Sequence, residues 1–171
     1  WRWKKSYLEA VVGGGSENMH VAGKAYSNIS SYGVIPDIYV GGAIGVLANP
    51  STTGVNGTVV IKGLVVSDNV IESIGEDQML TYAGGVVAGM WWSQTSVVDS
   101  CVVKNTSVTT SSVSAKTYAG GISGLVQAGE IRNCAVLSTD VRSKSVYNEA
   151  SAAGIFAWTK NYWKIDNNVS N

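Results

Sequence analysis

The stretch Tyr118-Ala119-Gly120-Gly121-Ile122-Ser123-Gly124-Leu125 is not alone in this chain. Tyr82-Ala83-Gly84-Gly85-Val86-Val87-Ala88-Gly89 and Tyr39-Val40-Gly41-Gly42-Ala43-Ile44-Gly45 precede it, and Val21-Ala22-Gly23 is a degenerate copy. Anchored on the second glycine, Gly42, Gly85, Gly121 and, with Ala before it, Gly154 are separated by 43, 36 and 33 residues. A β-branched segment follows each copy: Val60-Ile61-Lys62-Gly63-Leu64-Val65, Val98-Asp99-Ser100-Cys101-Val102-Val103, Ile131-Arg132-Asn133-Cys134-Ala135-Val136 and Ile165-Asp166-Asn167-Asn168-Val169. These begin at spacings of 38, 33 and 34 residues. Two elements that recur with one converging period define a repeat protein, and the excess in the earlier copies sits between them, where a loop absorbs it.

A period of 33 to 43 residues made of short β runs and Gly, Asn and Ser turns predicts an all-β fold. The specific expectation is a right-handed parallel β-helix, or β-solenoid, of four to five coils, with about three strands per coil and coils about 4.8 Å apart. The β-branched content and the glycines exclude helical repeats of similar period. No six-residue apolar period appears, which argues against a left-handed hexapeptide solenoid. One domain is expected from 171 residues, of which 14% are charged, with 20 Gly and 2 Pro. Residues 16–171 read as the solenoid. Residues 1–15 read in two ways: as an N-terminal cap, helical over residues 1–12 with Trp3, Tyr7, Leu8 and Val11 on its apolar side, or as a first strand with exposed aromatics. Asn168-Val169-Ser170-Asn171 stops early in a repeat, so the chain is expected to be a fragment of a longer one or a protomer of a stacked assembly.

Lys+Arg and Asp+Glu number 12 each. Without excess positive charge, neither nucleic acid nor an anionic membrane is an expected partner. No apolar run reaches the roughly 18 residues of a membrane span, so no membrane insertion is expected. Four sequons, at Asn28, Asn56, Asn105 and Asn168, are glycan acceptors if the chain passes through a eukaryotic secretory pathway.

The pattern Tyr-x-Gly-Gly-φ-x-Gly followed by φ-x-Asn-Cys-x-Val, where φ is apolar, resembles the GLUG-type repeat of bacterial surface proteins. These include adhesin-like proteins and non-catalytic regions of some large IgA-directed metallopeptidases. The resemblance covers Tyr39 to Asn171 and is best over residues 82–141. Gly63 and Asn168 stand where the pattern has Cys, and Ser151-Ala152-Ala153-Gly154 replaces Tyr-Ala-Gly-Gly. It implies a cell-surface or secreted repeat module.

In-register stacking turns equivalent positions into neighbours. Cys101 and Cys134 fall in one column, as stacked buried thiols or as a disulfide. Ile61, Asp99, Arg132 and Asp166 form a second column, read as a surface ion ladder. Lys62, Ser100, Asn133 and Asn167 form a third, read as a corner whose short polar side chains bond the turn backbone. The glycine pairs are expected where a strand bends or backbones approach closely, and without a following helix they do not form a phosphate loop.

The turn after each glycine strand holds Trp91 and Trp92, then Gln127-Ala128-Gly129, then Trp158, Tyr162 and Trp163. These aromatics read either as an exposed face for glycan or protein or as a satellite core. β-Helix folds also host polysaccharide lyases and hydrolases, but here the acids are scattered and His20 is the only histidine, so neither a triad nor a metal-ligand spacing can be assembled. The expectation is a protein that is not an enzyme and takes no cofactor or metal. It is an extracellular or cell-surface module that binds glycan or protein through Trp91, Trp92, Trp158, Tyr162 and Trp163. The alternative is a passive stalk or fibre subunit that contacts further copies of itself.

Overall fold

A computed structural model describes residues 10–12, 15–17, 19–25, 37–48, 59–75, 79–91, 96–159 and 163–171. These residues form 22 strands in five sheets, every pairing parallel, and no helix occurs among them. The chain visits the sheets in the same order in each repeat, so each strand pairs with its equivalent one repeat away. In the second to fourth repeats sheet 1 takes Val60–Lys62, Val97–Asp99 and Gly129–Arg132, and sheet 2 takes Val65–Ser67, Val102–Lys104 and Ala135–Leu137. Sheet 3 takes Val70–Gly75, Ser107–Ser112 and Asp140–Ser145; sheet 4 takes Thr81–Gly84, Thr117–Gly120 and Ala150–Ala153; sheet 5 takes Val87–Trp91, Ser123–Val126 and Phe156–Thr159. Each repeat is thus divided into five short strands rather than about three, because polar corners break the β runs more often than the glycines alone indicate. Of the stretch read as a helical cap, Ala10–Val12 are a strand paired with Val60–Lys62, and residues 1–9, 13 and 14 lie outside the described residues.

The core is a set of aliphatic columns. Ile61, Val98 and Ile131 stack from sheet 1, Val66, Val103 and Val136 from sheet 2, and Val86 and Ile122 from the bend between sheets 4 and 5, all at 1% exposure or less. Burying each such side chain contributes about 1.5–3 kcal/mol. Where sheet 3 meets sheet 4, buried hydroxyls interleave with the aliphatics. Thr110 Oγ1 donates to Ser143 Oγ at 2.9 Å, and Ser143 Oγ donates to the Thr117 carbonyl at 2.8 Å.

One column differs from the sequence reading. Val60 pairs with Val97, not Val98, and Lys62 with Asp99. A one-residue slip would turn Ile61 outward and Lys62 into the core, and Ile61 is fully buried. The charged column is therefore Lys62, Asp99, Arg132 and Asp166, alternating in sign along its whole length. The corner column is Gly63, Ser100, Asn133 and Asn167, and Leu64 rather than Gly63 shares the cysteine column with Asn168. All four corner residues are left-handed, with φ of 68°, 54°, 53° and 48°, a conformation glycine and asparagine tolerate best.

Asp99 anchors that corner. Asn133 Nδ2 donates to its Oδ1 at 3.0 Å, Ser100 Oγ donates at 2.8 Å, and Arg132 Nη2 reaches Oδ2 at 3.2 Å. The Asn133 hydrogen bond, helped by Ser100 and Arg132, holds the carboxyl below its ordinary value against its desolvation. A lowered folded value contributes stability that is present above the unfolded value near pH 3.9 and is lost as pH falls through the folded one. Urea unfolding should show wild type losing more stability than Asp99→Asn between about pH 5 and pH 2.5; equal losses would mean that the corner does not hold the charge.

Cys101 and Cys134 are free, buried thiols. Their sulfurs donate to the carbonyls of Asp99 at 3.4 Å and Arg132 at 3.2 Å. The neighbouring Cys134 thiol lowers Cys101, and the neighbouring Cys101 together with burial raises Cys134. Asn168 continues their column. Its Oδ1 accepts from the Cys134 N–H at 2.9 Å and its Nδ2 donates to the Ile131 carbonyl at 3.0 Å. Asn105 is exposed at a left-handed corner, and Asn28 and Asn56 lie outside the described residues.

Candidate functional site

Sheet 4 carries one aromatic column on the side away from the core. Strand alternation places Val40, Ala83 and Ala119 against the aliphatic columns and sends Tyr39, Tyr82 and Tyr118 the other way, in register across three repeats. Tyr39 and Tyr82 stack with centroids 4.7 Å apart and an interplanar angle of 4°; Tyr82 and Tyr118 stack at 5.4 Å and 15°. In the fourth repeat the column passes to Ser151, which has no ring to offer. Trp158 of sheet 5 leans onto Tyr118 instead, at 5.7 Å and 36°. At the other end the Trp91 ring meets Tyr39 edge-on, at 6.1 Å and 77°. Each such contact adds about 0.5–1.5 kcal/mol beyond the area it buries.

Sheet 5 makes room for these rings. A Cβ on Gly89 would come within 2.9 Å of Tyr39 Cε1 and 3.1 Å of Trp91 Nε1. Ala88 and Leu125 complete the packing, and Tyr82 and Tyr118 are 3% exposed. At the Tyr39 end of the ladder the Tyr39 hydroxyl donates to Asp37 Oδ2 at 3.1 Å. Burial raises both groups. The Asp37 charge pushes Tyr39 further up, and the hydrogen bond from Tyr39 partly offsets the rise at Asp37. Tyr82 and Tyr118 are raised by burial first. The ladder is therefore an apolar wall, with Asp37 at its Tyr39 end and the charges of Glu149 and Lys116 near Tyr118.

Of the aromatics singled out from the sequence, Trp91 and Trp158 are brought to this wall, one at each end, both half-buried. They are the last residue of one strand and the third of another, rather than turn residues. Trp163 opens the fifth strand of sheet 1, its backbone paired with Gly129. Trp92 and Tyr162 lie outside the described residues. The three tyrosines and Asp37 were not among the candidates read from the sequence. The signal was present, because Tyr39, Tyr82 and Tyr118 occupy one position of the repeat, and the stacking rule applied to the cysteines and charges makes them neighbours.

The described carboxylates, buried Asp99 included, are largely committed to partners. Asp99 and Glu130 pair with Arg132, Glu130 and Asp166 with Lys164, Asp140 with Arg142, and Glu149 with Lys116. Among the described residues no three of His, Cys, Asp and Glu converge into a metal-binding group. No family model matches the chain, and it matches no curated protein and no solved structure.

Proposed function

We propose that the chain is a right-handed parallel β-solenoid of the GLUG-like kind and a non-catalytic module of a secreted or cell-surface, adhesin-like protein. It binds glycan or protein through the aromatic corner at Trp91 and Trp158, and Trp92, Tyr162 and Trp163 are kept as further binding residues from the sequence pattern. The carrying observation is that both indoles stay partly exposed while the buried tyrosine ladder packs against them. Rigid aromatic area offers contact at little entropic cost. The five-sheet parallel register supports the solenoid reading, right-handed being the rule for parallel crossings. The pairing of carboxylates with Lys and Arg supports a non-catalytic role, with neither cofactor nor metal. The equal numbers of acidic and basic residues support partners other than nucleic acid, and no helix among the described residues is long and apolar enough to cross a membrane.

A second reading, a passive stalk or fibre unit that stacks with further copies, is favoured by the burial of Tyr82 and Tyr118, which commits the most regular column of the chain to stacking. A glycan array combined with binding to cell-surface protein separates the two. Wild type should bind a defined ligand, and Trp91→Ala/Trp158→Ala should weaken binding by about 2 kcal/mol or more while the β-sheet circular-dichroism signal is kept. A wild type that binds neither class leaves only the stalk, and a double variant that binds as well as wild type overturns the aromatic corner as the binding face.

A further inference from the structure

Gln127 follows the sheet 5 strand Ser123–Val126, and its N–H bonds the Met90 carbonyl at 2.9 Å. It therefore lies in register with Trp91, one residue past the paired Met90 and Val126. Met90 and Val126 belong to the aliphatic core, so the pleat turns Gln127 and Trp91 to the opposite side, where Trp91 packs with the tyrosine ladder. The next strand brings Trp158, paired with Leu125, to that same side. Gln127 is only 4% exposed, and its Oε1 has no hydrogen-bond partner. A buried amide oxygen left unpaired is costly and rare. The other two unpartnered oxygens among the described residues, Thr81 Oγ1 and Thr159 Oγ1, lie in register with the core residues Ile38 and Val126 and so face the interior.

We propose that Trp91, Gln127 and Trp158 form a subsite for a neutral oligosaccharide, in which a sugar hydroxyl donates to Gln127 Oε1 and the C–H face of a ring lies on an indole. This rests on reading the aromatic corner as a binding face. The negative face of an indole attracts polarised C–H groups, and an uncharged amide oxygen accepts from an uncharged hydroxyl. A peptide would recruit backbone pairing first, but the strand Ser123–Val126 is already paired on both edges. Trp91 and Trp158 belong to strands two repeats apart, about 9.6 Å at ordinary strand spacing, so the ligand that reaches both is a chain of sugars rather than one ring.

The test uses the whole chain, a glycan array followed by titration with the best neutral oligosaccharide, and Gln127→Met, which keeps the volume and removes the acceptor. Wild type should bind, and Gln127→Met should bind at least about tenfold more weakly. Without glycan, Gln127→Met should melt about 2–4 °C higher than wild type, because the unpaired oxygen is gone. A lower melting temperature would mean that Oε1 has its partner within the fold, and overturns the proposal. So does a Gln127→Met protein that binds like wild type; if Trp91→Ala/Trp158→Ala still loses binding, the aromatic reading survives that failure. A wild type that binds no neutral glycan also overturns the subsite, and the broader reading falls with it only if no surface protein is bound either.

Discussion

Replacing Gly85 by alanine should destabilise the protein by about 4 kcal/mol or more, enough to use up much of the 5–15 kcal/mol that holds an ordinary domain together. The second glycine of each pair is where one repeat rests on the next. A Cβ at Gly85 would overlap the Gly121 carbonyl oxygen of the neighbouring repeat and would come within 2.8 and 2.9 Å of the Val103 methyls. Gly42 and Gly121 are confined in the same way, by the carbonyls of Gly85 and Gly154 and by the side chains Ile71 and Val136. Backbone on one side and a packed core on the other leave no cheap relaxation. The requirement is for space and not for an unusual backbone, since the positive-φ glycines among the described residues are Gly63 and Gly129. Gly45→Ala is the control. Among the described residues its Cβ would meet only the Tyr39 carbonyl oxygen, at 3.6 Å, and the position aligns with Ala88 in the next repeat, so alanine should be neutral or stabilising by up to about 1 kcal/mol. Thermal unfolding of both variants checks the pair. A Gly85→Ala protein that melts within about 2 °C of wild type would show that the repeats do not stack as closely as described.

Tyr82→Ala should cost about 3–5 kcal/mol, the range for truncating a buried aromatic. Tyr82 is the middle ring of the ladder, stacked on both faces, so its loss leaves Tyr39 and Tyr118 facing a gap that neither can close from its own strand. Tyr82→Phe keeps both stacks and should cost less than about 1.5 kcal/mol. In urea the alanine variant should shift the midpoint and leave the slope unchanged. A cost below about 1 kcal/mol would make the ladder incidental to folding, and with it the argument that the tyrosines hold Trp91 and Trp158 in place.

Much of this arrangement was legible before any coordinates, because a parallel in-register stack makes sequence period and spatial neighbourhood the same thing. The spacing of 33 residues from Val98 to Ile131 and from Cys101 to Cys134 correctly paired those residues. Where the loop length changes, between the second and third repeats, counting alone misplaced Lys62 by one, and burial of Ile61 decided the register. The number of strands per repeat was also undercounted, since corners at Ser100, Asn105, Asn133 and Ser138 are made by ordinary polar residues in a left-handed conformation that composition does not announce.

By itself, then, the sequence determined that the chain is an all-β repeat, which residues recur along it, and that its glycine pairs serve the backbone rather than a phosphate. Only the tertiary structure decided that the tyrosines face away from the core as a ladder, that Trp91 and Trp158 lean back onto its ends, and that Gln127, in register with Trp91, is buried with its Oε1 unpartnered. The physical reason is that a period specifies which residues lie one above another. Which side of a strand they take, and what closes over them, depends on the packing of sheet 4 against sheet 5 at a corner where 35 or so residues of intervening chain leave no local trace.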